Sequence, residues 1–77
     1  MRPIKRSLTI AGHRTSISLE RPFWEALKAA ARRQRLPVAR LIARIDEARG
    51  KGGGGLSGAV RLWILQHYRE HRAPGHR

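Results

Sequence analysis

The six residues from Arg14 to Leu19 read RTSISL, and polar and apolar side chains alternate along them. Ile17 and Leu19 share one parity, whereas Arg14, Ser16 and Ser18 share the other. Because neighbouring side chains point to opposite faces of a strand, this period of two predicts a half-buried β-strand. We expect its apolar side chains to face a core and its polar side chains to face solvent or a ligand.

A shorter alternation precedes that strand, with Leu8 and Ile10 apolar between polar neighbours. Ala11-Gly12 separates the two pieces, and a short connection with glycine is typical of a hairpin. Two alternatives stay open here. Residues 1–12 form either a short extra strand or a basic, flexible N-terminal arm.

Helical spacing begins after the strand. Pro22 suits the first turn of a helix, and Phe23 and Leu27 then recur at helical spacing. Leu36-Pro37 should end this helix, because the residue before a proline avoids the α region. A second helix is predicted over residues 38–49.

The second helix carries Ile42 and Ile45 on an apolar stripe, and Gly50 follows its end. A third helix should come after the glycine-rich residues 51–55, with the Ser57 hydroxyl as its N-cap. The apolar residues of the third helix spread too widely around it for a single contact in a small chain. We therefore expect burial on several sides, partly against a second copy of the chain.

Length and charge narrow the functional classes. The chain has 77 residues, no cysteine and a formal net charge of +12. So short a chain has a marginal core, and without disulfides an oligomer is the expected source of further stability. A charge dominated by arginine favours nucleic acid as partner. We expect one main domain over residues 13–72 and a disordered tail over residues 73–77.

Three segments resemble small bacterial ribbon-helix-helix proteins of the Arc and methionine-repressor type. They are KRSLTIAGHRTSISLE at residues 5–20, followed by Phe23-Trp24, then LIARID at 41–46 and LSGAVRL at 56–62. The resemblance implies a mostly α-helical, intertwined dimer with an intermolecular antiparallel β-ribbon that enters the major groove of DNA. The simplest members have two helices, so residues 38–49 are an extra helix before the final one.

The resemblance also implies roles for single residues. The outward strand side chains Arg14, Ser16 and Ser18 would touch base edges, and arginine and serine can both do so. The start of the final helix would hold a phosphate, because its first N–H groups lack partners. The expected phosphate contacts are Lys5, Arg6, His13, Ser57, Gly58 and Arg61. The residues expected in the core or the dimer interface are Ile17, Leu19, Phe23, Leu27, Ile42, Ile45, Val60, Trp63 and Ile64.

Two literal motif matches lack the context that their chemistry needs. Residues 50–55 fit the dinucleotide pattern G-x-G-x-x-G, but a predicted helix precedes them instead of a strand. Residues 67–71 fit H-x-x-E-H, but a catalytic zinc needs a third ligand and a pocket, so exposed histidines at a helix end are expected. Trp24 and Trp63 are expected to pack in the core or interface and not to stack on bases. We expect no enzyme, no cofactor and no metal.

The sequence thus predicts a sequence-specific duplex DNA-binding protein, a transcriptional repressor or autoregulator of the cytoplasm and nucleoid. A homodimer is expected; further assembly on DNA, and a toxin partner for an antitoxin, stay open. One alternative is a nonspecific nucleoid-associated or RNA-binding protein. Another is a protein that binds anionic membrane surfaces or a protein partner. The alternating strand argues against the membrane class, whose surface-bound segments are helical, and no apolar run is long enough to span a bilayer.

Overall fold

The computed structural model describes residues 2–50 and 55–70. Within them the chain forms two strands and three helices: β1 (Pro3–Ile10), β2 (His13–Glu20), α1 (Arg21–Arg33), α2 (Val38–Arg49) and α3 (Leu56–Glu70). The predicted tail at residues 73–77 and most of the predicted glycine linker lie outside the described residues. No helix in the described part is both long and apolar enough to cross a membrane.

β1 and β2 form an antiparallel hairpin within the chain, closed where Ile10 pairs with His13. Its two-residue turn holds Ala11 at a φ of 51° and Gly12 at a φ of 82°. Positive φ at both central residues characterises the type I′ turn, whose twist matches that of the strands. The N-terminal segment is therefore a strand and not a flexible arm.

The hairpin changes the expected pairing of β2. The family resemblance led us to expect a partner strand from a second chain, and the register adds a pairing of β2 with β1 of the same chain, one of the two alternatives left open for residues 1–12. A strand has two edges, so β1 occupies one and leaves only the other for pairing between chains.

α1 ends at Arg33, earlier than predicted. The Leu36 N–H donates to the Ala31 carbonyl at 2.9 Å, and the Arg35 N–H donates to the Arg32 carbonyl at 3.0 Å. Together with a φ of 58° at Arg35, these bonds form a Schellman motif with arginine in the left-handed position that glycine usually takes. The helix thus stops through backbone capping before the following proline can end it.

α2 has the predicted bounds, with Pro37 at its N-cap and Gly50 at its C-cap. Gly50 has a φ of 68°, a conformation that costs glycine little because it has no Cβ. Leu41, Ile42 and Ile45 are buried, and α2 packs against β1, α1 and α3. The extra helix is therefore part of the core.

α3 begins at Leu56, so the prediction that Ser57 is its N-cap is wrong. The Gly55 carbonyl accepts a helical hydrogen bond from the Ala59 N–H at 3.2 Å, which places Gly55 at the cap position. The Ser57 hydroxyl makes a tertiary contact with β2 instead.

The core lies between one face of the hairpin and the helices. Trp24 Nε1 donates to the Ile4 carbonyl at 2.9 Å and ties α1 to β1. Two residues expected in the core or interface, Phe23 and Trp63, are half-buried and pack against the cluster. The buried apolar residues of the described part are Ile10, Ile17, Leu19, Trp24, Leu27, Ala30, Ala31, Leu41, Ile42, Ile45, Val60 and Ile64.

Candidate nucleic-acid interface

The hairpin presents a polar surface on the side away from the core. Cross-strand partners lie on the same face of a sheet, and alternate pairs belong to alternate faces. Ile17 and Leu19 are buried on the core side. The opposite side consists of Lys5, Ser7, Thr9, Arg14, Ser16 and Ser18, here called the polar face, with the pair Pro3 and Glu20 at the end far from the turn.

The predicted base-contacting residues all lie on the polar face. Arg14 and Ser16 are exposed, and Ser18 is half-buried. Ser16 Oγ lies 3.5 Å from Ser7 Oγ across the hairpin. Sequence reasoning missed Ser7 and Thr9 as members of this face, and the short alternation before the turn was the signal that could have found them.

The polar face carries uncompensated positive charge. Lys5 and Arg14 form no ion pair with any residue in the described ranges. Their donors stand among hydroxyl groups, which can both donate and accept hydrogen bonds. This combination suits phosphate oxygens and base edges.

The edge of β2 that does not pair with β1, here called the outer edge, is hydrogen-bonded to α3 at Ser18. The Ser18 N–H donates to Ser57 Oγ at 2.9 Å, and Arg61 Nη2 donates to the Ser18 carbonyl at 3.1 Å. Arg61 also donates to both carboxylate oxygens of Glu20, at 2.9 Å and 3.2 Å. The first turns of α3 are thereby fixed against the end of β2.

The side-chain hydrogen bond from the Arg61 guanidinium lowers the pKa of Glu20 below its ordinary value of 4.5, and a backbone hydrogen bond at Glu20 itself lowers it further. Glu20 is therefore a carboxylate at neutral pH, and it neutralises Arg61. Sequence reasoning missed Glu20, because its partner lies far along the chain.

The hairpin residues expected to contact phosphate divide between the two faces. Lys5 lies on the polar face. Arg6 lies on the other face, where its guanidinium carbon is 5.1 Å from the ring centre of Trp24. His13 lies on the same face of the hairpin as Arg6 and is exposed beside the turn. The structure does not bring these three side chains into one cluster.

At the start of α3 the three expected phosphate contacts differ in access. Gly58 is exposed, and no heavy atom comes within 4 Å of the point that a Cβ would occupy. Ser57 and Arg61 are half-buried and already bound to β2. Gly58 is therefore the most accessible of the three.

The rest of the outer edge of β2 is open within the described ranges. N–H groups of alternate residues point to the same edge, so those of Arg14 and Ser16 point the same way as that of Ser18. Arg14 and Ser16 line a cleft of about 380 Å³ between the hairpin tip, the end of α2 and the start of α3. Asp46 and Leu56 are on its far side.

α3 has a second apolar surface. Val60 and Ile64 fill the core, whereas Leu62 and Leu65 are 57% and 53% exposed. One apolar side of α3 therefore packs within the chain and a second side is exposed, so burial of the second side against another copy stays a prediction.

His67 is buried, so the expectation of an exposed histidine at this helix end is wrong. Its ring stacks on Trp63 with 4.7 Å between centroids, and Tyr68 meets it edge-on at 5.4 Å. His71 lies outside the described residues. Among those described, no three His, Cys, Asp or Glu side chains are grouped so that they could hold a metal ion.

Comparison with protein families matches residues 3–68 to a family described as the ribbon-helix-helix domain. This range includes both strands, α1, α2 and α3 as far as Tyr68. No curated protein and no solved structure matches the chain.

Proposed function

The chain belongs to the ribbon-helix-helix domain family, and we propose that it is a sequence-specific duplex DNA-binding protein that acts as a transcriptional repressor or autoregulator. Domains of this family generally bind DNA as transcription regulators and are typically not enzymes. The observation that carries the proposal is the polar face, a ribbon surface with two uncompensated basic side chains and a row of hydroxyl groups.

Base recognition is assigned to the exposed side chains of β2. Arg14 can donate two hydrogen bonds to guanine O6 and N7 in the major groove. Ser16 and Ser18 can bond to several base edges and so discriminate less. A two-stranded ribbon fits the width of the major groove, which allows these side chains to reach the bases. Sequence choice should therefore depend mostly on Arg14.

Phosphate binding is assigned to Lys5, Arg6 and His13 on the hairpin and to the first turn of α3. The accessible backbone at Gly58 and the partial positive charge at the start of a helix favour an anion there. Ser57 and Arg61 would act at the same place, where they also fix the helix to β2.

We propose that the protein binds DNA as a homodimer, since members of the family generally dimerise. The exposed Leu62 and Leu65 give a second copy an apolar surface to cover. The open edge of β2 at Arg14 and Ser16 gives its strand a place to pair. Since the backbone groups of Ser18 are already bonded, pairing between chains would be confined to the part of β2 nearer the turn.

Selection of bound sequences from random duplex DNA tests the proposal. Enrichment of a palindrome is expected, because a two-fold dimer reads two equivalent half-sites. Binding without enrichment would instead favour a nonspecific nucleoid-associated or RNA-binding protein, which the net charge of +12 also suits. Pelleting with anionic vesicles but no binding to duplex would favour the membrane-surface alternative.

A further inference from the structure

A long segment without acidic residues runs from within α1 through the connection into α2. Residues 26–45 contain no Asp or Glu and six basic residues, which are Lys28, Arg32, Arg33, Arg35, Arg40 and Arg44. Lys28 pairs with Glu25 at 3.6 Å. None of the five arginines forms an ion pair within the described residues. This part of the surface therefore carries positive charge that the protein itself does not neutralise.

Two of these arginines stand on the outer side of α2. Arg40 and Arg44 are exposed and one helical turn apart, whereas Leu41, Ile42 and Ile45 face the core. We call Arg40 and Arg44 the α2 basic surface. The neighbouring Glu47 is also exposed and is paired with neither arginine in the described structure. Packing has therefore left both guanidinium groups to solvent.

A groove of about 420 Å³ connects the α2 basic surface to the polar face. Arg40 lines it from α2, and Thr9 lines it from β1. Thr9 is the cross-strand partner of Arg14, the side chain assigned to base recognition. Arg40 thus adjoins the polar face across this groove at the tip of the hairpin, and Arg44 lies one turn further along α2.

The chemistry of this surface fits a nucleic-acid backbone better than a lipid surface. A helix that binds membranes inserts an apolar face, but the large apolar residues Leu41, Ile42 and Ile45 of α2 are already buried in the core. Arginine pairs well with phosphate, because its planar guanidinium can donate two hydrogen bonds at once. Duplex DNA presents a phosphate charge for about every 1.7 Å of its axis, so successive arginines one turn apart can each find one.

We propose that α2 is a second DNA-contacting element, in which Arg40 and Arg44 bind phosphates beside the groove that the hairpin enters. The inference rests on the proposed function, and it gives the extra helix a role beyond the core. Phosphate contacts carry no sequence information, so the α2 basic surface would strengthen binding equally on all duplexes. It would extend the contacted DNA past the half-site read by Arg14.

The test compares the salt dependence of duplex binding for the full chain and two charge-matched double variants. R40Q/R44Q removes the α2 basic surface, and K28Q/R69Q removes two charges elsewhere on α1 and α3. The binding constant falls with salt, and each neutralised phosphate adds about 0.9 to the magnitude of the slope of log K against log salt; slopes below are given as magnitudes. We expect R40Q/R44Q to lower the slope by about 1.8 per protomer on all sequences, and K28Q/R69Q to leave it near the parent value. R40K/R44K should retain most of the parent slope.

Phosphate ethylation interference locates the contacts directly. The parent should show sensitive phosphates outside the half-site, and R40Q/R44Q should lose them. A parent slope in R40Q/R44Q, or equal losses in both glutamine variants, would overturn the role of α2 while the proposed function stands. A parent that binds no duplex would overturn both. Circular dichroism and thermal unfolding of each variant establish that the helices remain folded.

Discussion

Arg61 of α3 donates to both carboxylate oxygens of Glu20 at the end of β2, through Nε at 2.9 Å and Nη2 at 3.2 Å. The same guanidinium also donates to the carbonyl of Ser18, two residues before Glu20 on the same strand. One side chain thus joins the final helix to the strand that carries the proposed base-reading residues. A change at Glu20 should therefore alter both the stability of the fold and the position of α3.

This ion pair predicts a pH dependence of stability. Because the pKa of Glu20 in the folded chain lies below 4.5, the unfolded chain binds this proton more readily. The contribution of Glu20 to the free energy of unfolding is fully present above pH 4.5 and is lost as the pH falls through the lower, folded-state pKa. Thermal unfolding of the parent and of Glu20→Gln should therefore differ at neutral pH and converge in acid. Glu47→Gln is the matched control, and a constant difference between parent and Glu20→Gln would contradict the prediction.

Ser57 should matter to the fold as the acceptor for Ser18. Ser57→Ala removes the acceptor of the Ser18 N–H, so we expect a loss of about 1 kcal/mol in the free energy of unfolding. Ser57→Thr keeps the hydroxyl and is the control. Denaturant unfolding measures both, and parent-like stability of Ser57→Ala would show that water satisfies the Ser18 N–H.

Ser57→Asp separates folding from phosphate binding. A carboxylate can still accept the Ser18 N–H and is favourable in the first turn of a helix, so the variant should fold. If a phosphate binds at the start of α3, the added charge should weaken binding to every duplex. Unchanged affinity in titrations of specific and random duplexes would place the phosphate contact elsewhere.

Arg14 should set sequence preference, because it is exposed on the polar face and unpaired within the described residues. Arg14→Ala should cost about 1–3 kcal/mol on the selected site, with relaxed preference at one base position of each half-site. Arg69→Ala removes the same charge from the far end of α3. Competition titrations with the selected site and a random duplex measure the difference, and equal losses on both would assign Arg14 to the backbone.

Leu62 and Leu65 should contribute to dimerisation and little to the packing of one chain. Replacing both with Gln should lower the dimer population and make the thermal midpoint less dependent on protein concentration. Ile64→Val is the contrasting core variant, expected to cost about 0.5–1.5 kcal/mol without weakening association. Sedimentation of the Leu62 and Leu65 variant as a stable dimer at micromolar concentration would contradict this role.

Short-range pattern was enough to predict much of the fold. The alternation at residues 14–19 predicted β2 and the division of Ile17 from Arg14 between its faces, because the pleat is fixed by nearest neighbours. The bounds of α2 followed from its apolar stripe between Pro37 and Gly50. Gly50 has a positive φ of 68°, which a glycine just past the end of a helix adopts readily.

Contacts between distant residues were decided by tertiary packing. The end of α1 depends on backbone hydrogen bonds around Arg35. The sequence does not predict them, because the position with positive φ holds an arginine where a glycine would be expected. The Ser57 hydroxyl looks like a helix cap in sequence, yet it accepts the N–H of a residue 39 positions away. The pairing of Arg61 with Glu20 spans 41 positions. Local periodicity follows from the geometry of neighbouring residues alone, whereas these bonds exist only once the core has set α3 against the edge of β2.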